Sequence, residues 1–440
     1  MRAVLALALP ALIQHLLNTA VFIADRAMLG DYATESLAAM QIAGPLRWAS
    51  YSIFTAFSAG TVAVVARHIG AGDQVRARAA AAASLVFSLV MGALLSAVIL
   101  ILPQIVSLYR PEPAVASEAH AYLLTVLAIA PATSFTLIAV FVLQAAGDTR
   151  TPMLITMLAN LINIAGNWLL IGGNLGLPAL GALGAGLASA AAILCELILL
   201  VYVLARGRSR IRVGLGDLLA SSRRHLRPIL AISIPSAIEQ VIFHSGFFLF
   251  TVIVGRLGLL AMAANQAAVS VESVCFLTAD AFGIAAATLV GQRLGANRPD
   301  AADEAARAAA RLGAGLLLFA SITILFGREL LLSMFTTDTV AVAIGALAIE
   351  VGILELPFLG LAGVLGRALR GAGETRTPLL VTAIGVWGLR VPLSWWLGIE
   401  MEMGLPGIWA ATLVDWVVRA LILWWAWRRG AWRRIEIQSA

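Results

Sequence analysis

The chain has 440 residues, 61% of them hydrophobic and 12% charged, with a mean hydropathy of +0.93. A soluble domain carries about 25% charged residues, so a soluble fold is excluded: too little polar surface is present to cover a core of this size. The formal charge of +6 rests on 30 basic residues, all arginine, set in short runs between apolar stretches, which suits lipid headgroups and speaks against nucleic acid as a partner.

Apolar runs of about 20 residues or more mark membrane-spanning helices. In chain order they fall near 3–29, 41–67, 80–107, 119–145, 152–173, 182–205, 228–254, 264–290, 306–327, 343–369, 378–398 and 407–427. Arg2 and the apolar run after it resemble a signal peptide, but the run continues past Pro10 without a small-residue cleavage site and reads as a first span. The N-terminus and the connections after spans 2, 4, 6, 8, 10 and 12 hold about 23 of the 30 arginines, with Arg206, Arg208, Arg210, Arg212, Arg223, Arg224 and Arg227 in the central loop. The opposite side holds Arg110, Arg256 and Arg328. The positive-inside rule then places both termini in the cytoplasm, and an even number of spans agrees by returning the chain to the side on which it began. The expected class is an all-α, multi-pass protein of a bacterial cytoplasmic membrane, a monomer in contact with lipid.

The chain repeats itself. LQAAGDTRTPM (143–153) returns as LRGAGETRTPL (369–379), Pro10 as Pro235, LAAMQ (37–41) as MAANQ (262–266), and RHIGAG (67–72) as QRLGAN (292–297), always at an offset of 225 to 226. Two halves, 1–218 and 219–440, each with six spans, enter the membrane in one orientation and form two pseudo-symmetric six-helix bundles. In the doubled phrase Gly147 and Gly373 end one span, Thr151 and Thr377 are expected to cap the next, and Pro152 and Pro378 fill its first turn.

An ionisable group within a span is costly and marks a pathway or coupling role. The first half holds Asp25, Arg26, Arg47 and Glu196 with the amides Gln14, Asn18, Gln41, Asn160, Asn163 and Asn167; the second holds Glu239, Glu272, Asp280, Glu350, Glu355, Arg390, Asp415 and Arg419. Asn160, Asn163 and Asn167 share one helix face. Asp415 and Arg419, one turn apart, are expected to neutralise each other. A carboxylate buried beside amides can exchange a proton for a cation, because burial and a nearby cation pull its ionisation in opposite directions. Asp25, Glu239, Glu272 and Glu355 qualify. Gln41 and Gln266, at equivalent repeat positions, read as helix-packing hydrogen bonders beside the substrate cavity. Adjacent helical residues point about 100° apart, so Arg26 is expected to face away from Asp25.

HExxH, GxxxxGK[ST] and GxSxG do not occur, His15, His68, His120, His225 and His244 are scattered, and Cys195 and Cys275 stand apart. No catalytic residue, cofactor or metal centre is expected. Energy has to come from an ion gradient unless a partner supplies it.

The chain resembles the multidrug and toxic compound extrusion family over essentially its whole length. The resemblance is carried by VFIADRAMLG (21–30), LAAMQ and MAANQ, IAAATLVGQRLGAN (284–297), GDTRTP and GETRTP, and NIAGNWLLIGG (163–173) followed by GAGLAS (184–189). It implies twelve helices in two bundles around a V-shaped cavity and export of cationic or amphipathic drugs in exchange for protons or sodium ions. It further implies a cation site at Asp25, Asn163, Asn167 and Ser189, with a sodium ion, where that is the coupling ion, held at Asp25, Asn163 and Asn167. Many relatives carry an aspartate where Asn167 stands. Others use a glutamate in span 7 and an aspartate in span 10; Glu239 and Glu355 lie in those spans, one turn before the aligned Phe243 and Leu359. VESVCF around Glu272 resembles a branch with glutamate at that point. The alternatives are a lipid-linked oligosaccharide flippase, which needs basic residues for pyrophosphate, and a lipid-modifying membrane enzyme, which needs clustered His or Asp at one membrane face.

Overall fold

A computed structural model describes residues 1–207, 209–336 and 338–435; Arg208 of the central loop lies outside the described residues. The described chain is helical throughout, without strands. Span 1 is Arg2–Tyr32, span 2 Thr34–Gly70, span 3 Gln74–Leu108, span 5 Arg150–Leu170, span 6 Gly181–Arg206 and span 7 Arg223–Gly255. Span 8 is Leu259–Gly295, span 9 Pro299–Ser333, span 10 Thr339–Gly371, span 11 Arg376–Glu400 and span 12 Gly404–Arg429. Span 4 consists of Pro113–Ala128 and Ala130–Ala145, bent by 54°. Each expected span is present, and several extend beyond their apolar runs into polar flanks, because helix hydrogen bonding continues where hydropathy stops.

The bend in span 4 has an identifiable cause. Pro131 has no N–H to give to the carbonyl one turn back, that of Leu127, and its ring pushes the chain aside. In hydrocarbon a freed carbonyl needs another donor, and Ser96 of span 3 gives its hydroxyl to Leu127 O at 2.6 Å. The second repeat uses the same device: Pro357 frees Ile353 O in span 10, which accepts from the Ser321 hydroxyl at 2.6 Å. Here the helix tightens into a 3₁₀ turn at Ile353–Glu355, so the break presents Glu355. Ser321→Ala should cost about 1–3 kcal/mol, the range for leaving a buried acceptor unpaired, and this is measured as a lowered midpoint in thermal unfolding of the purified protein.

The doubled phrase forms matching turns, with one correction. Gly147 and Gly373 adopt φ of +89° and +92°, as a left-handed helix end requires. The caps, however, are the acidic residues rather than the threonines. Asp148 accepts from the Thr151 amide at 3.0 Å and its hydroxyl at 2.7 Å, and Glu374 accepts from the Thr377 amide at 3.0 Å. A carboxylate at a helix start outcompetes a hydroxyl because it also meets the positive end of the helix dipole.

The described residues group into two compact units. One comprises Met1–Leu12, Gly70–Gly72 and the chain from Ala231 onward; the other comprises Ile13–Ile69 and Asp73–Leu230. The core of the first unit is rich in alanine along span 8, including Ala264, Ala267, Ala268, Ala279, Ala285 and Ala286. Small side chains let helices approach closely where no hydrophobic effect drives them together. In the second unit Leu29, Met40, Leu102, Tyr122, Leu123 and Ile171 form a packed cluster.

Candidate cation site

Spans 1 and 5 meet along a polar seam inside the second unit. Gln14 Nε2 donates to Thr156 Oγ1 at 2.8 Å, Asn160 Nδ2 to Asn18 Oδ1 at 3.2 Å, and Asn167 Nδ2 to Asp25 Oδ1. All three pairs are 142 residues apart, so the helices run in the same direction in constant register over about three turns. The residues involved recur at helical spacing on one face of each helix.

Span 6 closes the site. A Cβ on Gly166 would lie 2.8 Å from the Cβ of Ala188; its absence lets spans 5 and 6 approach until Asn163 reaches Ser189. With its amide oriented to satisfy both ends, Asn163 donates to Asp25 Oδ1 at 2.9 Å and accepts from Ser189 Oγ at 3.0 Å and Ser189 N at 3.3 Å. The structure thus brings together Asp25, Asn163, Asn167 and Ser189. Asp25 is 8% exposed and Asn167 fully buried, while the Asn167 carbonyl oxygen has no hydrogen-bond partner. A carboxylate beside an unsatisfied amide oxygen and a hydroxyl has the chemistry to take up a proton or a small cation.

Two arginines adjoin the site. Arg47, noted in the sequence without a role, acts on Asp25 as a neighbouring charge, and its Nη1 donates to the Tyr122 hydroxyl at 2.5 Å. Arg26 lines the same cleft as Asp25, against the expectation that it faces away. Its guanidinium lies over the Phe22 ring, 4.1 Å from the centroid, because a long side chain bends back along its own helix whatever the direction of its Cα–Cβ bond.

The second-half carboxylates part company. Glu239 accepts from Arg370 Nη1 at 3.0 and 2.8 Å and from the Thr382 hydroxyl at 3.0 Å. Glu272 and Glu355 lie next to each other with Arg390 as the nearby cation. Thr412 gives its hydroxyl to Glu355 Oε2 at 2.5 Å. Asp415 pairs with Arg419 at 2.5 Å as expected and also with Arg390 at 2.8 Å. Gln41 and Gln266 are exposed, and the buried amide of that segment is Asn265, which accepts from Trp409 Nε1 at 3.1 Å.

Sequence reasoning missed Tyr122, Gln144, Thr156, Asn265, Arg370, Thr382 and Thr412. The repeat register held the signal: Gln14, Gln144 and Thr156 occupy the positions of Glu239, Arg370 and Thr382 at the same 225 to 226 offset. The same register places Arg47 where the second half has Glu272, so the two units carry opposite charges at one position.

Comparison with known proteins agrees with this architecture. The MatE family model matches residues 10–169 and 235–396, one stretch in each repeat. The probable multidrug resistance protein NorM of Thermotoga maritima is 29% identical, covering 98% of this chain and 93% of its own length. The multidrug resistance protein PmpM of Pseudomonas aeruginosa is 26% identical over 96% of this chain and 90% of its own. Among solved structures, a MOP superfamily transporter of Pyrococcus furiosus superposes with a TM-score of 0.90 at 21% identity, covering 99% of this chain and 96% of its own. An outward-facing multidrug resistance MATE family transporter does so at 0.89 and 23%, covering 98% and 96%. The match through both repeats, on a twelve-span fold built from them, shows that the chain belongs to the MatE family of multidrug and toxic compound extrusion transporters.

Proposed function

We propose that the protein is a secondary active exporter that exchanges cationic or amphipathic drugs for protons or sodium ions by alternating access, with the repeats 1–218 and 219–440 as its moving parts. The observation that carries this reading is Asp25, a buried carboxylate held by Asn163 and Asn167 beside the unpaired Asn167 oxygen. A proton or sodium ion bound there and a cationic cargo compete for one negative charge, and that competition couples their movements. Glu272 and Glu355 form a second acidic group on which the cargo's charge can act. The names of the relatives from T. maritima and P. aeruginosa support a drug as cargo. A flippase would need arginines free of carboxylates for pyrophosphate, whereas Arg390 and Arg419 are committed to Asp415 and Arg47 stands against Asp25 and Tyr122. The arginine distribution supports a cytoplasmic-membrane orientation with both termini inside.

Everted membrane vesicles containing the protein should take up a cationic dye when an opposing proton or sodium gradient is imposed, read as dye fluorescence. Vesicles that fail under both gradients would contradict the proposal.

A further inference from the structure

From this geometry we infer that Glu196 is a second proton-carrying group of the same unit, exchanging its proton with Asp25 along the polar seam of spans 1, 5 and 6. The inference rests on the coupling role proposed for Asp25 and extends it to a residue that lies outside the Asp25 cluster. Thr156 Oγ1 donates to Glu196 Oε1 at 2.8 Å while accepting from Gln14, so Glu196 completes the rung at the far end of the seam. From Gln14 to Asp25 is eleven residues of span 1, about 16 Å along the axis. Asn18 and Asn160 lie between, and Asn18 is exposed; an amide pair on a span is costly against lipid, which favours an aqueous rather than a lipid surface at the middle of the seam. Ser189 and Glu196, two turns apart, put both ends of the seam on one face of span 6.

The repeat supplies the contrast. At the corresponding level of the other unit Arg370 and Thr382 hold Glu239, with Arg370 Nη1 bridging both carboxylate oxygens as a charged partner. In this unit the ion pair is replaced by Gln14 and Gln144, with Gln144 Nε2 donating to Gln14 Oε1 at 3.4 Å. The acid comes from span 6 instead, where the second repeat has Ile422. Glu196 bonds to Thr156 of span 5, which is linked in turn to Gln14 of span 1 and through it to Gln144 of span 4, none of them charged. His15 and Cys195 project about 100° away round their helices. Glu196 accepts from a hydroxyl where Glu239 accepts from an arginine, so it joins Asp25 as an acid of this unit able to change protonation during transport. When cargo binds, the Asp25 carboxyl releases its proton, water in the seam carries it, and the Glu196 carboxylate takes it up; Asp25 is left charged and Glu196 neutral.

Glu196→Gln keeps the size of the side chain and an oxygen to accept from Thr156, and removes the titrating group. The test is dye efflux from proteoliposomes of the full-length chain, with internal and external pH varied separately, for the wild type, Glu196→Gln, Glu196→Asp and Asp25→Asn. Glu196→Gln should lose the acceleration that a pH gradient gives the wild type, and Glu196→Asp should restore it. A Glu196→Gln profile that superposes on the wild type would overturn the inference, as would equal loss in Glu196→Gln and Glu196→Asp, which marks a structural role. If Asp25→Asn instead retains full gradient-driven efflux, the coupling role of Asp25 fails first, and with it the basis of this proposal. Should Glu196→Gln not fold, Glu196→Met takes its place: it fills the volume without the acid, and gradient acceleration equal to the wild type would overturn the inference.

Discussion

Replacing Asp25 by asparagine should abolish gradient-driven efflux while leaving the protein folded. The change is isosteric, and the new amide oxygen can still accept from Asn163 and Asn167, so the loss of stability should stay within about 1.5 kcal/mol, the net worth of a typical hydrogen bond. Function should not survive, because the charge that binds either cargo or coupling ion is gone. Arg47 makes the loss more complete. In the wild type its positive charge is opposed by Asp25; in the variant it stands unopposed beside Tyr122 and repels any cation entering the site. Dye efflux under separate proton and sodium gradients checks this. Activity under either gradient equal to the wild type would remove Asp25 from the mechanism.

The largest expected effect on stability belongs to Asp415. Its side chain is fully buried between Arg390 and Arg419, whose side chains are 6% and 4% exposed. Asp415→Ala takes from two buried guanidinium groups the one anion that they both contact, and breaking a buried pair in this way costs about 3–5 kcal/mol. The rings of Phe243 and Trp416, whose centroids lie 5.8 and 4.8 Å from Arg419, soften the loss without cancelling it, since a cation over an aromatic face gains about 0.5–2 kcal/mol. The packing is equally tight: a Cβ on Gly385 would lie 2.1 Å from Asp415 Oδ1, so span 11 has no room to close over the gap. Thermal unfolding in detergent should show a larger drop for Asp415→Ala than for Ser321→Ala. Equal or smaller loss would mean that water or lipid phosphate solvates the two arginines.

The fold was largely legible because its signals are long. Twenty-residue apolar runs and a repeat at constant offset survive the noise of individual residues, and the arginine bias adds up over many loops. Glu239 shows where single-residue reading stops. As a carboxylate in a span it looks like Asp25, and only contact with Arg370, on a different span, separates a fixed ion pair from an open site. Arg370 sits at the end of span 10, where an arginine reads as a loop charge, but its long side chain reaches back to a partner that hydropathy does not reveal. The polar seam escaped notice for a related reason: Thr156 and Gln144 hardly lower the hydropathy of their spans. Their meaning comes from the 142-residue register between spans 1 and 5, a property of packing rather than of either helix. In the turns, the choice of Thr151 and Thr377 as caps followed residue preference. The structure favours Asp148 and Glu374 because their carboxylates, placed ahead of the helix start, reach forward to the amides of its first turn and meet the positive end of the helix dipole.

The central claim is that Asp25 and its amides bind the ion that cargo displaces. It is tested most directly by adding tetraphenylphosphonium, a lipophilic monovalent cation, to the purified protein in detergent. Proton release is followed with a pH indicator in weak buffer, and sodium release with radioactive sodium. The wild type is predicted to give up one of the two ions as the organic cation binds, and Asp25→Asn neither. Undiminished release from Asp25→Asn would contradict the account.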